Sequence, residues 1–411
     1  MNKHPLILAV DTSCDDTSAS VLQGKTILSN IIASQTELHR PYGGVFPTVA
    51  KQAHKENIEP TVKVAIKRAG IALRIKNFSI NKIDALAVTV GPGLAPALEV
   101  GINYMKDLAT KWNKPLIAVN HIEGHALSAL AEKNIRSKKI AENKQSLKNI
   151  QKSQVKTAKL PKTINFPVLS VIVSGGHTEF VLFNKIGYYK IIGSTIDDAA
   201  GECLDKIGRM LNLGYPAGPV MEKFARMGNP KAVEFPLPMT TTKNFDMSFS
   251  GLKTFARNYV ETNFAKTSPN KEQTYDLCAS TQYGVFRHIM YKLSKVLETH
   301  QISEIWLGGG VAANIKLRQM IRKTIKDFEN KSQKNAGENP KLSDQTAEKK
   351  SPQSTISKEL NKIIFRVPHT RKLCMDNAAM IGLVANFKFE RKEFVSDLQK
   401  LERAPRMKIE D

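Results

Sequence analysis

Two histidines four residues apart, His121 and His125 in Val119-Asn-His-Ile-Glu-Gly-His-Ala-Leu-Ser128, have the spacing to grip one cation. If His121 opens a helix after the apolar run at 115–119, His125 follows one turn on, and i,i+4 side chains leave the same face. Such a pair can chelate a divalent metal, or it can cap and pack a helix. A metal site needs a third protein ligand and open positions for substrate. Asp376, in Cys374-Met-Asp-Asn-Ala-Ala-Met380, is a carboxylate at the start of another helix and can fill that role. The zinc-protease pattern H-E-x-x-H does not fit. Glu123 stands two places after His121, about 200° around a helix of 3.6 residues per turn, and is expected to point away from the metal.

The chain that must position these groups has 411 residues and 41% hydrophobic content, enough for two or three domains with ample core. No stretch approaches the ~20 apolar residues of a membrane span, and the apolar run at 6–10 is interrupted by Asp11 and lacks a cleavage site, so a soluble, cytoplasmic protein is expected. Cys14, Cys203, Cys278 and Cys374 are far apart, with no CxxC pair, and read as reduced thiols. A net charge of +23 points to a polyanionic partner. Two lysine-rich segments, 133–163 and 326–362, inflate that charge. They hold too little apolar surface to offset ordering entropy and are expected to be flexible insertions, the first either a solubilising loop or an arm that contacts the polyanion.

The rest of the chain has a rhythm of strands, glycine turns and helices. Residues 6–10 and 18–22 read as strands around the polar turn Asp11-Thr-Ser-Cys-Asp-Asp-Thr17. Residues 168–173 and 179–183 repeat the scheme around Ser174-Gly-Gly-His-Thr178. Two such units suggest a duplicated lobe with a nucleotide between the copies, its phosphates on turn N–H groups and hydroxyls. Between them, the strand at 83–90 leads through Gly91-Pro-Gly93 into a helix over 95–112. An earlier helix is expected over 49–72, after the loop His39-Arg-Pro-Tyr-Gly-Gly-Val-Phe-Pro47. Asp197-Asp198 is expected to cap a helix whose polar face carries Asp198, Glu202, Asp205 and Arg209. Such a carboxylate can remain solvated or accept hydrogen bonds from ribose hydroxyls. Phe249-Ser-Gly-Leu-Lys-Thr254 reads as a polar turn. A strand over 304–307 then enters Gly308-Gly-Gly-Val-Ala-Ala-Asn314, which opens a helix over 315–328. Bare glycine backbone there lets an adenylate approach, with Asn314 as amide donor and acceptor. The GxGxxG dinucleotide fingerprint is not present.

Taken together, these motifs resemble the bacterial tRNA N6-adenosine threonylcarbamoyltransferases. They include Tyr42-Gly-Gly-Val45, Gly91-Pro-Gly-Leu94, His121-x-Glu-Gly-His125, Val173-Ser-Gly-Gly-His-Thr178, Ile196-Asp-Asp-Ala-Ala-Gly-Glu202, Phe249-Ser-Gly-Leu-Lys-Thr254 and Cys374-x-Asp-Asn-Ala-Ala-Met-Ile381. The resemblance implies an α/β, actin-like or Hsp70-like ATPase fold of two ribonuclease-H-like lobes around a nucleotide cleft. Residues 1–120, with 371–411 returning, would form lobe I, and 121–370 lobe II. It implies transfer of a threonylcarbamoyl group from threonylcarbamoyl-AMP to N6 of the adenosine 3′ of the anticodon. Carried over by position, His121, His125 and Asp376 match the metal ligands, with Fe2+ favoured over Zn2+. Ile172, Val173, Ser174, Gly175, Gly176, Asp205, Gly218 and Asn314 match the adenylate contacts. Asp15 and Asp16 fall where the family keeps acidic residues near the metal, and one of them is the candidate general base. The implied partners are tRNA, a paralogous dimer partner and a small ATPase. Leu94-Ala-Pro-Ala-Leu-Glu99 and Ala217 depart from the family's usual residues at the cleft rim. A metallopeptidase, an actin-fold small-molecule kinase or carbamoyltransferase, and a tRNA-binding scaffold are the alternatives.

Overall fold

The computed structural model describes residues 4–133, 163–265, 267–337 and 362–411. In the first half, β1 (Leu6–Asp11), β2 (Asp16–Gln23) and β3 (Thr26–Ser34) form an antiparallel meander. Helix α1 (Pro47–Leu73) follows, then β4 (Ala85–Gly91), α2 (Ala95–Trp112), β5 (Leu116–Asn120), the short α3 (His121–Leu127) and β6 (Glu132–Lys133). Strand order is β5-β4-β1-β2-β3-β6, with β4 parallel to both β1 and β5.

The second half repeats the plan. β7 (Val168–Val173), β8 (Thr178–Lys185) and β9 (Tyr188–Ser194) form a second meander. After α4 (Ala200–Met210), α5 (Ala217–Ala225), α6 (Ser250–Phe264) and α7 (Lys271–Thr299), β10 (Glu304–Gly308) pairs parallel with β7. Helix α8 (Ile315–Gly337) and β11 (Ile364–Arg366) then complete a sheet ordered β11-β10-β7-β8-β9. Each sheet is thus an antiparallel meander extended by parallel strands on the same side of its first strand. This is the duplication expected from the two strand-turn-strand units.

Helix α9 (Ala378–Glu390) is apolar on every side, and every residue from Ala378 to Asn386 is buried. A helix without a polar face must be enclosed. It packs into a core shared by both halves, with Ile7, Ala85 and Ile117 of the first sheet and Ile172, Val181 and Trp306 of the second. Separate apolar clusters back each sheet on its outer face. The segment after α9 returns to the first sheet, where Val395 N donates to Leu116 O and Ala404 N to Val90 O.

Three local expectations need correction. Asp197 does not cap α4, whose N-cap is Ala199; the side chain instead clamps the 248–250 segment, accepting from Ser248 Oγ at 2.5 Å, Phe249 N at 2.8 Å and Ser250 Oγ at 2.7 Å. That clamp helps explain why 249–254, expected to be a turn, enters α6 at Ser250. The helix expected to end at 328 continues to Gly337, so the first twelve residues of the 326–362 segment are helical. The remainder, 338–361, and nearly all of 133–163 lie outside the described residues.

Candidate metal and nucleotide site

The site forms where the ends of the two sheets face each other. Asn120 ends β5 and caps α3, its Oδ1 accepting from Ile122 N at 2.8 Å and Glu123 N at 3.2 Å. This cap starts the helix at His121 and sets the two imidazoles one turn apart, edge to face, with ring centroids separated by 4.7 Å. On the opposite side, Asn377 Oδ1 accepts from Ala379 N and Met380 N and starts α9. Asp376, just ahead of that cap, reaches the histidines. Its Oδ1 lies 3.2 Å from His125 Nε2 and 3.5 Å from His121 Nε2. One donor atom from each of the three residues falls within 4.8 Å of the others.

The donor set fits a metal ion. Both histidines are buried, and His125 Nε2, although close to Asp376, makes no aligned hydrogen bond to any described residue. The local electrostatics call for positive charge between the carboxylates. Burial alone would push His121 down, yet Asp376 and Asp11 outweigh it and hold the imidazole up to about 10. Burial pushes His125 down. Burial would raise Asp376, but the two imidazoles hold it well below the usual carboxylate range. A divalent cation among these three groups would meet the same demand as the proton on His121, and more strongly.

Asp11 is a member of this site that the sequence did not single out. It ends β1, is buried, and sets an oxygen 3.5 Å from His121 Nδ1. A carboxylate there orients a ligating imidazole and strengthens its other nitrogen as a donor. Glu123 does face away, as its spacing implied. It accepts from Tyr189 Oη at 2.8 Å on the far side of α3, and burial raises its pKa.

The turn between β1 and β2 brings Asp15 and Asp16 to the same end of the sheet. Asp16 Oδ1 is buried without a hydrogen-bond partner among the described residues. Burial pushes this carboxyl up to about 7, with a Ser34 hydrogen bond opposing and Asp15, Asp376 and Asp11 reinforcing the shift. Such a group exchanges its proton in the neutral range.

The expected adenylate residues lie on the end of β7 and the turn after it, on α4, at the start of α5 and just ahead of α8. Ile172 and Val173 are buried at the end of β7, and Ser174 Oγ accepts from Gly176 N at 3.3 Å and His177 N at 3.0 Å, folding the turn. Gly175 and Gly176 face open space. Asp205 on α4 accepts from Gly218 N at 2.6 Å, joining α4 to the start of α5. Burial raises Asp205, with the Gly218 and Ala217 amides opposing. Asn314 is more occupied than its sequence role implied. Its Oδ1 caps α8 through Lys316 N and Leu317 N, and its Nδ2 donates to Gln282 Oε1 at 2.6 Å, leaving one Nδ2 hydrogen.

Gly308 and Gly309 serve close packing. A Cβ on Gly308 would fall on the carbonyl oxygen of His125, and one on Gly309, at φ +88°, on that of Val173. Gly308→Ala is therefore expected to displace α3 and cost about 1–3 kcal/mol of stability. Thermal unfolding with and without added metal will read both the loss of fold and the loosened ligand pair.

Glu222, one turn after Gly218, was invisible as a site residue. It is buried, accepts from Ile315 N at 3.2 Å at the start of α8, and pairs with Arg371 at 3.2 Å on the segment leading to Asp376. It ties the nucleotide side to the metal side. Its only sequence signal was its i+4 offset from Gly218.

Comparison with known proteins agrees with this geometry. The family model for TsaD, tRNA N6-adenosine threonylcarbamoyltransferase, matches residues 26–138 and 151–336. The chain belongs to this family. The tRNA N6-adenosine threonylcarbamoyltransferase of Endomicrobium trichonymphae is 38% identical over 98% of both chains, and that of Clostridioides difficile strain 630 is 37% identical over 93% of both. The chain is accordingly a transferase acting on tRNA, and its cluster of two histidines and an aspartate could hold a single metal ion. In fold it is similar to T. kodakarensis HypF, with a TM-score of 0.52 at 12% identity over 95% of this chain and 49% of that one. The architecture is the actin-like ATPase fold. No helix among the described residues is long and apolar enough to cross a membrane.

Proposed function

We propose that the chain transfers the threonylcarbamoyl group of threonylcarbamoyl-AMP to N6 of the adenosine 3′ of the anticodon, position 37, in tRNAs reading codons that start with A. The observation that carries this reading is the convergence of His121, His125 and Asp376 beside an acidic turn and an open glycine turn. Two imidazoles and one carboxylate are the donor combination of non-haem iron sites, and the ion proposed here is Fe2+ in preference to Zn2+. When bound, it supplies Lewis-acid polarisation of donor oxygens.

The protein's own groups do the rest. Adenine's exocyclic amine is a poor nucleophile, so the donor carries an activated acyl group with AMP as leaving group. The backbone of 172–176 and the open space at Gly175 and Gly176 accept the adenylate. Asp205 and Gly218 hold its ribose side, and the free Nδ2 hydrogen of Asn314 holds its base. Asp15 or Asp16 takes the proton that N6 loses during attack. Asp11 and Glu222 act through the ligands, fixing His121 and the segment before Asp376. A cytoplasmic site of action, a paralogous dimer partner and a small ATPase complete the proposed setting.

Purified metal-loaded chain, together with those partner proteins, threonylcarbamoyl-AMP and a tRNA transcript, is expected to yield threonylcarbamoyladenosine on nucleoside mass spectrometry. Phosphorylation of a small hydroxyl compound, or a carbamoyl product without tRNA, would overturn the reading. Changing Asp15 and Asp16 together to Asn is expected to lower the single-turnover transfer rate by about 10²–10⁴-fold. A wild-type rate would remove the acidic turn from the chemistry.

A further inference from the structure

The loop between β3 and α1 places two aromatic rings in solvent. Tyr42 and Phe46 stack with centroids 5.0 Å apart and planes 18° from parallel, yet are 56% and 47% exposed. Large exposed aromatics beside a site need a reason, and this pair is held in place from two directions. Gly43, at φ +63°, turns the loop so that its carbonyl accepts from Arg209 Nη1 at 2.8 Å. Arg209 lies one turn beyond Asp205 on α4, so this bond joins the loop to the opposite half of the cleft.

The second hold is a directional chain of hydrogen bonds to the acidic turn. Phe46 N–H donates to His39 Nδ1 at 3.3 Å, so His39 carries its proton on Nε2 and donates it to Gln35 Oε1 at 3.2 Å. Gln35 Nε2 donates to Thr17 Oγ1 at 3.5 Å. The Cys14 carbonyl can only accept, so His54 Nε2 must be the donor in that 3.0 Å contact, and His54 Nδ1 then accepts from Thr17 Oγ1 at 2.7 Å. Gln35 N also donates to Asp15 O at 3.1 Å. His39, Gln35, Thr17 and His54 are all buried, and burial keeps His54 in its neutral form. The aromatic pair is therefore fixed in register with Asp15 and Asp16.

We infer that the Tyr42–Phe46 stack is a base-stacking subsite at the cleft mouth, taking an unpaired nucleobase of the substrate RNA loop while its neighbour enters the site. Sequence-specific reading of RNA works on splayed bases laid against aromatic faces. Modifying N6 in a loop requires the RNA to be gripped on at least one side of the target. The strongly basic chain supplies attraction for the RNA backbone but no grip on a base. This inference rests on tRNA as substrate and extends it to the residues that hold the loop.

The test uses the full chain with its partner proteins and an anticodon stem-loop RNA. Phe46→Trp puts a reporter in the stack and is expected to bind the stem-loop with wild-type affinity and lose indole fluorescence on doing so. Tyr42→Leu with Phe46→Leu keeps apolar bulk and removes the aromatic faces. It is expected to raise KM for tRNA at least tenfold with kcat changed less than threefold and KM for the acyl donor unchanged, and Tyr42→Phe is expected to restore the wild-type value. An unquenched indole in a Phe46→Trp chain that still binds the stem-loop would overturn the subsite, and so would a wild-type KM in the double leucine variant; either outcome would turn the patch toward a protein partner. Because the fluorescence arm needs no turnover, a failure of the transfer chemistry cannot be mistaken for a failure of the stack.

Discussion

Changing His125 to Ala is expected to abolish metal retention and to lower threonylcarbamoyl transfer by roughly a thousandfold or more, the scale set by several kcal/mol of charge stabilisation at a metal centre. The expectation is large because, among the described residues, the candidate metal cluster consists of these three donors. Asp376 is the carboxylate shared by both imidazoles, at 3.2 Å and 3.5 Å, and Asp11 is engaged with the far nitrogen of His121. Glu123, the nearest remaining acid in sequence, is held by Tyr189 on the other face of α3 and cannot substitute. Elemental analysis of the purified variant, beside a single-turnover assay, checks both effects. A variant that keeps one metal per chain and a wild-type rate would exclude the triad as the metal centre. His121→Ala should be as severe, whereas Asp11→Asn, which keeps the size and loses the charge, should cost about 10–100-fold in metal affinity.

The second large effect concerns the fold. Glu304 opens β10 fully buried, its carboxylate accepting from Arg366 Nε at 2.5 Å and Nη2 at 3.0 Å, Trp306 Nε1 at 2.7 Å and Asn165 N at 2.8 Å. The pair bolts β11 to β10, and the Asn165 contact anchors the chain just before β7. Arg366→Met leaves that carboxylate buried without its cation and is expected to cost ~3–5 kcal/mol at neutral pH. The loss should shrink in acid. Burial would raise Glu304, but Arg366 and the other donors hold it below its ordinary value. A carboxylate depressed in the folded state contributes stability above its unfolded pKa, and that contribution fades as pH falls through the folded one. Denaturant midpoints for wild type and variant should therefore converge below about pH 4 and differ most near pH 7. A gap that stays constant from pH 7 to pH 3 would show that packing, and not charge, supplies the stabilisation.

What the sequence revealed and what it hid follow from the range of each signal. His121 and His125 were legible because i,i+4 spacing is a property of one helix. The first two strands of each meander were legible because apolar runs flanked polar turns, whereas β3 and β9 were not read. The span of α2 matched at both ends, its glycine turn and Asn113 marking them. Asp197 was misassigned because N-cap preference describes only the local backbone, whereas its actual partners, Ser248 to Ser250, lie some fifty residues away. The helical 326–337 stretch looked too polar to fold, but α8 begins against the second core, where Leu317, Ile321 and Ile325 are buried, and carries its polar end outward. The His39–Gln35–Thr17–His54 chain gave no pattern, and Glu222 only its offset from Gly218. Their meaning lies in partners from other elements, and no periodicity encodes those.

The candidate metal ligands are divided between α3 and the segment ahead of α9, so the site is complete only when these two distant parts of the chain meet. A chain that has folded only its first sheet owns two imidazoles on a seven-residue helix and no third donor. The carboxylate stands ahead of α9, which packs in the core shared by both sheets. A chain that ends before Asp376 lacks one of the three donors, however completely its first sheet has formed.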